Sequence, residues 1–458
     1  MMMTGAQYRA SLADDRLVYI DGERVADLAA HPDLAIPLGL AADGYDRFYA
    51  PGADAVNPFL LPPESAEGLR NRGARFVDTL LHTTFTCAMS FQTAAERIAE
   101  ARPQGREAIR AFLDHVRRND LRLTECITDA KGDRSLSPSK QPDPDAYLRV
   151  VDRQNDGVVI RGAKLHVSLA CIGHELAIMP TKSMKPGEED YAIACAVPVN
   201  APGVKIISVG GAPRGDLRDT PVAARRHLPQ SFVIFDDVFV PNARVFLDGE
   251  VEHAASFAHA LGLWLRASTL SSLAEEADVL VGLAQLVAEA NGLERVAHIR
   301  EKIADMVMHA TLVRATFEAA IATGTIQPDG MLLPNELYAN AGKYIAAAEH
   351  ALLVRHLVDI AGGSALTVPS TRDLENPDTG PLLKKYMAGK AGIDGDYRTR
   401  LFHAVRDLTA SDQAGRISVA KLHGGGGLYA QRIVARGRYN MDHAKAVARD
   451  AVGLKDEP

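Results

Sequence analysis

The sequence predicts an α+β fold in three parts: a helical domain over residues 1–146, an antiparallel β domain over 147–253 and a helical bundle over 254–458. Two observations carry this prediction. Apolar residues recur at helical spacing at both ends of the chain but fall into short β-branched runs in the middle, and turn signals crowd only that middle stretch. With 47% apolar and 24% charged residues in a chain of 458, there is material for a large buried core.

In the first part, Arg16 to Val25 alternates apolar and polar residues around Asp21-Gly22, a dipeptide suited to a type I′ turn. This predicts a small hairpin packed as an arm on the main body. From Ser65 to Arg122 the apolar positions are helical: Ala74, Phe76, Val77, Leu80 and Leu81, then Ile98, Ile109, Phe112, Leu113 and Val116. Between Tyr147 and Leu247 the runs become β-like, with Asn155-Asp156-Gly157 as a hairpin turn, which predicts an antiparallel sandwich or barrel. The last part has long Ala- and Leu-rich stretches over Leu270–Glu294, Val296–Thr323, Pro334–Ala361 and Leu382–Ala410, with Gly362-Gly363 capping the third. Such helices with short connections make a bundle.

Charge and motif content narrow the function. A net charge of −7 gives no cationic field for counterion release, so nucleic acid is not an expected partner. No run is apolar and long enough for a membrane span, and the first residues have no leader pattern, so a cytoplasmic protein is expected. Cys87, Cys126, Cys171 and Cys195 lie far apart with no CxxC pair, as reduced, buried thiols would. His298, His309, His350 and His356 form no H-E-x-x-H pattern, so no metal site is expected from them. Neither a G-x-G-x-x-G behind a strand nor a P-loop is present, so neither a Rossmann nor a Walker site is implied.

Some stretches combine close-approach glycines with donors. Lys131-Gly132-Asp133-Arg134-Ser135 offers a cation and several hydrogen-bond donors at the entry to the β domain. The same run fits a surface turn closed by a local Asp-Arg pair. His423 followed by Gly424, Gly425, Gly426 and Gly427 suits an anion-binding nest, or a flexible bend between helices.

These segments also carry a resemblance. The opening TGAQYRASLADDRLVYIDGERV, the run Thr128 to Ser135 (TDAKGDRS), Val159 to Lys164 (VIRGAK), Met179-Pro180-Thr181, Phe235 to Pro241 (FDDVFVP), Asn291 to Arg295 (NGLER), Asp359 to Gly363 (DIAGG) and His423 to Gly427 stand in order along nearly the whole chain. Together they are similar to the 4-hydroxyphenylacetate 3-hydroxylase / 4-hydroxybutyryl-CoA dehydratase family. The resemblance implies an acyl-CoA dehydrogenase-like fold, a homotetramer, and FAD, bound as such or supplied as FADH2, between the β domain and the bundle. It further implies flavin contacts from Lys131, Gly132, Asp133, Arg134, Ser135, Ser168, Thr181, His423, Gly424 and Gly425. Ser168 and Thr181 would each offer a hydroxyl and an amide to the ring, although singly a strand Ser or Thr is more often structural.

The chain departs from both branches of the family. The dehydratases hold a [4Fe–4S] cluster with three Cys and one His; the aligned positions here are Thr83, Cys87, Leu265 and Ser272, so no cluster is expected. The hydroxylases place a phenol with an Arg, a Tyr and a His, where this chain has Cys87, Phe91 and Glu125. These become the candidate substrate contacts (Cys87, Phe91) and a candidate general base (Glu125), which as a helix-end carboxylate would instead be solvated. His166 continues the VIRGAK strand and is either a catalytic pocket residue or a hydrogen-bonded β-domain histidine.

Three functions follow as expectations. The first is the oxygenase component of a two-component FADH2/O2 monooxygenase acting on a phenolic small molecule, fed by a separate NAD(P)H:flavin reductase. The second is a cluster-free flavoenzyme of the dehydratase/isomerase type acting on an acyl-CoA or similar substrate. The third is a catalytically silent binding homologue, against which the retained flavin-contacting segments argue.

Overall fold

The Asp21-Gly22 turn has the backbone that the dipeptide favours, with φ of 51° and 85°, and joins strands β1 (Val18–Ile20) and β2 (Glu23–Arg24). The computed structural model describes residues 1–73 and 79–454; Ala74, Phe76 and Val77 of the first helical block lie outside them. The hairpin is not a free arm. β1 pairs in parallel with β9 (Val204–Val209), Tyr19 opposite Ile207, so it extends the middle sheet, and Val18 and Ile20 are buried in its core.

The first part also contains helices α1 (Gly5–Ser11), α2 (Pro32–Phe48), α3 (Ala66–Gly73), α4 (His82–Arg97) and α5 (Pro103–Asn119), and strands β3 (Leu123–Cys126) and β4 (Thr128–Asp129). The middle part adds β5 (Arg149–Arg153), β6 (Gly157–Ser168), β7 (Glu175–Ile178), β8 (Ile193–Pro198), β10 (Gln230–Pro241), β11 (Val245–Asp248) and the short helix α6 (Ala223–Arg226). One sheet runs β2-β1-β9-β10-β6-β4 with β5 also on β6, and the other runs β11-β8-β7-β3. The sheets are antiparallel except where strands of the first part join them, at β1 with β9 and β3 with β7. Val158, Ile160, Val167, Ile178, Val197, Ile206, Val233 and Phe235 fill the interior, with Cys126, Cys171 and Cys195 among them. All four cysteines are buried and unpaired.

The third part opens with α7 (Ala254–Ala290), which starts well before the predicted Leu270 and extends about 55 Å at 1.5 Å per residue. Trp264 on α7 is fully buried, stands edge-on to Phe85, and donates its indole N–H to Thr93 Oγ1 at 2.8 Å, locking α7 to α4. α8 (Ala297–Ala322) follows, and a two-strand ribbon of β12 (Thr325–Ile326) and β13 (Leu332–Leu333) leads to α9 (Glu336–Ala348). The predicted third helix is broken at Glu349, whose carboxylate lies 2.9 Å from His309 Nδ1, and continues as α10 (His350–Ala361) to Gly362 at φ 68°. Next come α11 (Ser364–Thr367), α12 (Thr371–Glu375), α13 (Gly380–Met387) and α14 (Gly395–Thr409). Gly392, at φ 87°, lies in the bend that splits the predicted fourth helix into α13 and α14. α15 (Asp412–His423), α16 (Leu428–Arg438) and α17 (Met441–Val452) end the described chain. No helix among the described residues is long and apolar enough to cross a membrane.

Candidate functional site

β3 sets Glu125 opposite Ala177 of β7 and sends its carboxyl toward α4, where it meets the Thr86 hydroxyl. Thr83, Thr86, Cys87 and Ser90 share one face of α4, because at 100° per residue these positions fall within about a quarter turn to a third. Burial pushes the Glu125 pKa up to about 8, and the Thr86 hydrogen bond offsets this only in part. The Cys87 thiol is raised well above its usual value by burial, then by Glu125 and Cys126. At pH 7 both groups are therefore mostly protonated.

Two residues further along the chain, about 7 Å at strand spacing, the Ile127 carbonyl accepts from the Thr181 hydroxyl at 2.6 Å and from Lys164 Nζ at 2.9 Å. Lys164 also donates to Met179 O at 3.0 Å and pairs with Asp129 Oδ1 at 2.7 Å, both side chains being 2% exposed. Asp129 accepts from the Leu148 N–H at 3.0 Å and touches the Thr181 hydroxyl. This node ties β4, β6 and the end of β7 together directly beside Glu125. Thr181 thus has its hydroxyl engaged within the protein, and Ser168 likewise donates to Gln230 Oε1 at 3.0 Å.

The run after β4 is a closed turn. Gln141 accepts from the Asp133 N–H at 2.9 Å and donates to Asp133 O at 2.7 Å. A Cβ on Gly132 would lie 2.3 Å from Gln141 Oε1, so this glycine, at φ 49°, makes room for Gln141. Asp133 accepts from the Ser135 N–H at 2.9 Å and its hydroxyl at 2.7 Å, which lowers the Asp133 pKa. The turn is closed by an Asp-Ser contact, and Arg134 is left free of it. Lys131 is held at φ 71° by its N–H to Ala146 O at 2.9 Å. Its pKa is lowered by burial and by Arg134, Lys164 and Lys182. Arg149 and Arg161 nearby are paired with Asp145 and Asp237, whereas Lys131, Arg134 and Lys182 have no carboxylate partner among the described residues. Lys182 sits 5.1 Å over the Tyr147 ring.

His166 occupies a bulge in β6, where the register to β10 shifts between Ser231 and Val233, and its φ is 59°. Bulges of this kind re-aim a side chain. Partial burial, then Lys131, then His423 hold the His166 pKa down. His423, at the end of α15, is thus near enough for its charge to act on His166.

Beyond His423 the chain turns through Gly425 at φ 73° and Gly426 at φ 90° into α16. The carbonyls of this loop are held from the bundle side: Arg266 Nε donates to Gly425 O at 2.8 Å and Gln431 Nε2 to Gly426 O at 2.8 Å. Arg266 is 7% exposed, donates also to Asn340 Oδ1 at 2.7 Å, and has no carboxylate partner among the described residues. The N–H groups of Gly425 and Gly427 have none either. A buried cation without its anion, free loop amides and a rim of unpaired cations fit an anionic dinucleotide.

Phe91, His174, Leu265 and Ser272 have local packing or hydrogen-bonding roles. Phe91 is fully buried and edge-on to Phe112, Phe246 and Phe257 in a core cluster. Its ring anchors α4 against α5, β11 and α7. His174 accepts from the Arg122 N–H at 2.9 Å and contacts Ser11 Oγ at 2.8 Å, so it orders the turn before β7. Leu265 packs beside Gly425, and Ser272 donates to Thr269 O at 2.9 Å. Among the described residues no group of three or more His, Cys, Asp or Glu is arranged to hold a metal. Thr83, Thr86, Lys164 and Arg266 were not singled out from sequence as site residues. Only Thr83 and Lys164 had a signal, through the aligned cluster position and the VIRGAK strand.

Models of the N-terminal and C-terminal domains of 4-hydroxyphenylacetate 3-hydroxylase match residues 4–247 and 254–453. The chain is 28% identical to 4-hydroxybutyryl-CoA dehydratase/vinylacetyl-CoA-Delta-isomerase of Clostridium aminobutyricum, over 99% of this chain and 100% of that protein. It is 27% identical to the 4-hydroxyphenylacetate 3-monooxygenase oxygenase component of Thermus thermophilus, over 90% of this chain and 89% of that protein. A solved oxygenase component of 4-hydroxyphenylacetate 3-monooxygenase complexed with FAD superposes with a TM-score of 0.86 at 25% identity, over 98% of each chain. Glutaryl-coenzyme A dehydrogenase, at 14% identity and a TM-score of 0.50 over 85% of this chain and 78% of that one, shares the fold alone. With matched models covering both halves and the helical, β, helical order of the acyl-CoA dehydrogenase-like fold, this chain belongs to the 4-hydroxyphenylacetate 3-hydroxylase family.

Proposed function

We propose that this protein is an FAD-dependent oxidoreductase, the oxygenase component of a two-component system that uses FADH2 and O2 to hydroxylate a phenolic small molecule. The observation that carries the reading is the pair of anion-suited linings, the His423–Gly427 loop with Arg266 behind it and the Lys131–His166 rim, on whose His166 both Lys131 and His423 act. Lys131, Arg134 and the loop amides of Gly425 and Gly427 hold the anionic cofactor. Reduced FAD, when bound, supplies the electrons for oxygen activation. Glu125 receives the phenol proton once its own carboxyl is ionised, which its pKa of about 8 places at mildly alkaline pH. Cys87 lines the substrate side, and His166 supplies a neutral imidazole at the rim. The chain has no nicotinamide-binding motif, so a separate NAD(P)H:flavin reductase is the expected partner. A homotetramer in the cytoplasm, of subunits divided after residues 146 and 253, completes the reading.

The full-length similarity to the dehydratase favours a second reading, a cluster-free isomerase or dehydratase acting on an acyl-CoA or similar substrate. Anaerobic titration with FADH2 and with FAD, followed by stopped-flow mixing with oxygenated buffer, separates the two. Tighter binding of FADH2 and an oxygen-dependent absorbance transient before flavin reoxidation support the oxygenase. Tight binding of FAD without a transient supports the second reading, and binding of neither form ends both.

A further inference from the structure

The face of α4 toward Glu125 has an unfilled hydrogen-bonding demand. Thr86 Oγ1 has one proton and three acceptors in reach: His82 O at 2.9 Å, Thr83 O at 3.2 Å and a Glu125 carboxylate oxygen. When that proton goes to Glu125 Oε1, the carboxyl keeps its own proton free for a ligand. One helical turn before Cys87, Thr83 is 4% exposed, and its hydroxyl is buried with no hydrogen-bond partner. Buried hydroxyls are seldom left unpaired, so this one is aimed at a group that the protein itself does not supply.

The surroundings also lack a counter-charge. Ser90 donates to Thr86 O at 2.5 Å. Lys164 is committed to Asp129, Ile127 O and Met179 O; Arg122 gives Nη2 to Leu80 O and keeps an unpaired Nη1, but it is not among the groups that act on Glu125. Besides burial, only the Thr86 hydrogen bond moves Glu125, so no charged neighbour acts on it among the described residues. An anionic oxygen seated here would meet hydroxyls, a thiol and a carboxyl, with no cation to offset its desolvation.

We propose that Thr83, Thr86, Cys87 and Glu125 form a subsite for an uncharged oxygen of the substrate, an un-ionised hydroxyl or a carbonyl, and that it rejects the ionised form. The assignment rests on the flavoenzyme reading above and adds to it the state in which the substrate enters. Thr83 pairs with the ligand oxygen, and Glu125 donates to it while protonated.

The test uses FAD-loaded protein at pH 7, with FAD binding followed by its fluorescence in the same samples. Two probes are titrated: 4-nitrophenol, whose phenol and phenolate differ in absorbance, and 4-nitroacetophenone, which keeps the nitro group but has a ketone carbonyl in place of the ionisable hydroxyl. Expected is binding of 4-nitrophenol as the colourless phenol, with its acid constant lowered about tenfold or more, equivalent to one pKa unit. Thr83→Val should weaken the bound probe about fivefold, the worth of one neutral hydrogen bond, without changing FAD affinity. Retention of the 4-nitroacetophenone probe alone assigns the subsite to carbonyls. Binding of 4-nitrophenol as phenolate, binding of neither probe, or an unchanged affinity in Thr83→Val overturns the proposal. If FAD itself does not bind, the flavoenzyme reading fails, and the same titrations on the flavin-free protein decide the subsite separately.

Discussion

Glu125 is the group whose ionisation governs the proposed chemistry, and it also links stability to pH. Its native pKa of about 8 lies above the ordinary 4.5, so the folded state favours the protonated form. The stabilisation that this gives is complete below about pH 4.5 and is lost as the pH rises toward 8. Glu125→Gln keeps a neutral group of the same shape, so the variant should lose less thermal stability than the parent between pH 5 and 8.5, as read by melting temperatures at several pH values. Its hydroxylation rate should fall about 100-fold or more if the carboxylate is the base, and the remaining rate should no longer rise through pH 8. Thr86→Val removes the bond that favours the ionised carboxyl, so the midpoint of the pH profile should move upward.

Among the elements, the node of β4, β6 and β7 and the loop between α15 and α16 bear most directly on the site. Lys164→Met leaves Asp129 charged and buried without its partner, a change that typically costs about 3–5 kcal/mol. Denaturant unfolding should report a loss of that order, and the Ile127 carbonyl beside Glu125 loses a donor with it. Gly425→Ala forces a Cβ onto a residue at φ 73°, within 3.4 Å of the Arg266 side chain. The left-handed backbone alone costs about 1–2 kcal/mol. FAD affinity, measured by fluorescence titration, should therefore weaken about tenfold while the sheets keep their circular dichroism.

For the whole molecule, the described chain ends on a helix that buries no face of its own. α17 buries none of its 12 residues and exposes Met441, Val447 and Val452, with Leu454 just beyond. A free helix of this length is marginal in water, so α17 is expected to pack against another subunit of the proposed homotetramer. Residues 428–452 carry Arg432, Arg436, Arg438, Lys445 and Arg449 against Asp442 and Asp450, in a chain of net charge −7, which suits docking on an acidic neighbour. Sedimentation of a chain ending at Tyr439 should show smaller assemblies than the full chain; an unchanged assembly would place the subunit contacts elsewhere.

Periodicity along the chain determined the order of the three parts, most strand positions and the Asp21-Gly22 turn, because burial of every second residue or every third to fourth is written locally. The family segments likewise marked the loop at His423 and the turn at Lys131. Only the tertiary structure decided which polar groups remain available to a ligand. Thr181, Ser168, Asp133 and Gly132 look like donors or clearances in sequence, yet each is engaged by a partner brought in by folding: Asp129, Gln230, Ser135 and Gln141. Phe91 lies on the same helix as Cys87 but stands about 140° around it from Thr86, and its ring joins the aromatic core of Phe112, Phe246 and Phe257. Conversely, Arg266 and Thr83 stand in ordinary helical sequence, and the one's lack of a carboxylate partner among the described residues and the other's unpaired hydroxyl arise only in the packed chain. Local patterning specifies elements, while the availability of a hydrogen bond depends on distant residues that only the packed chain brings together.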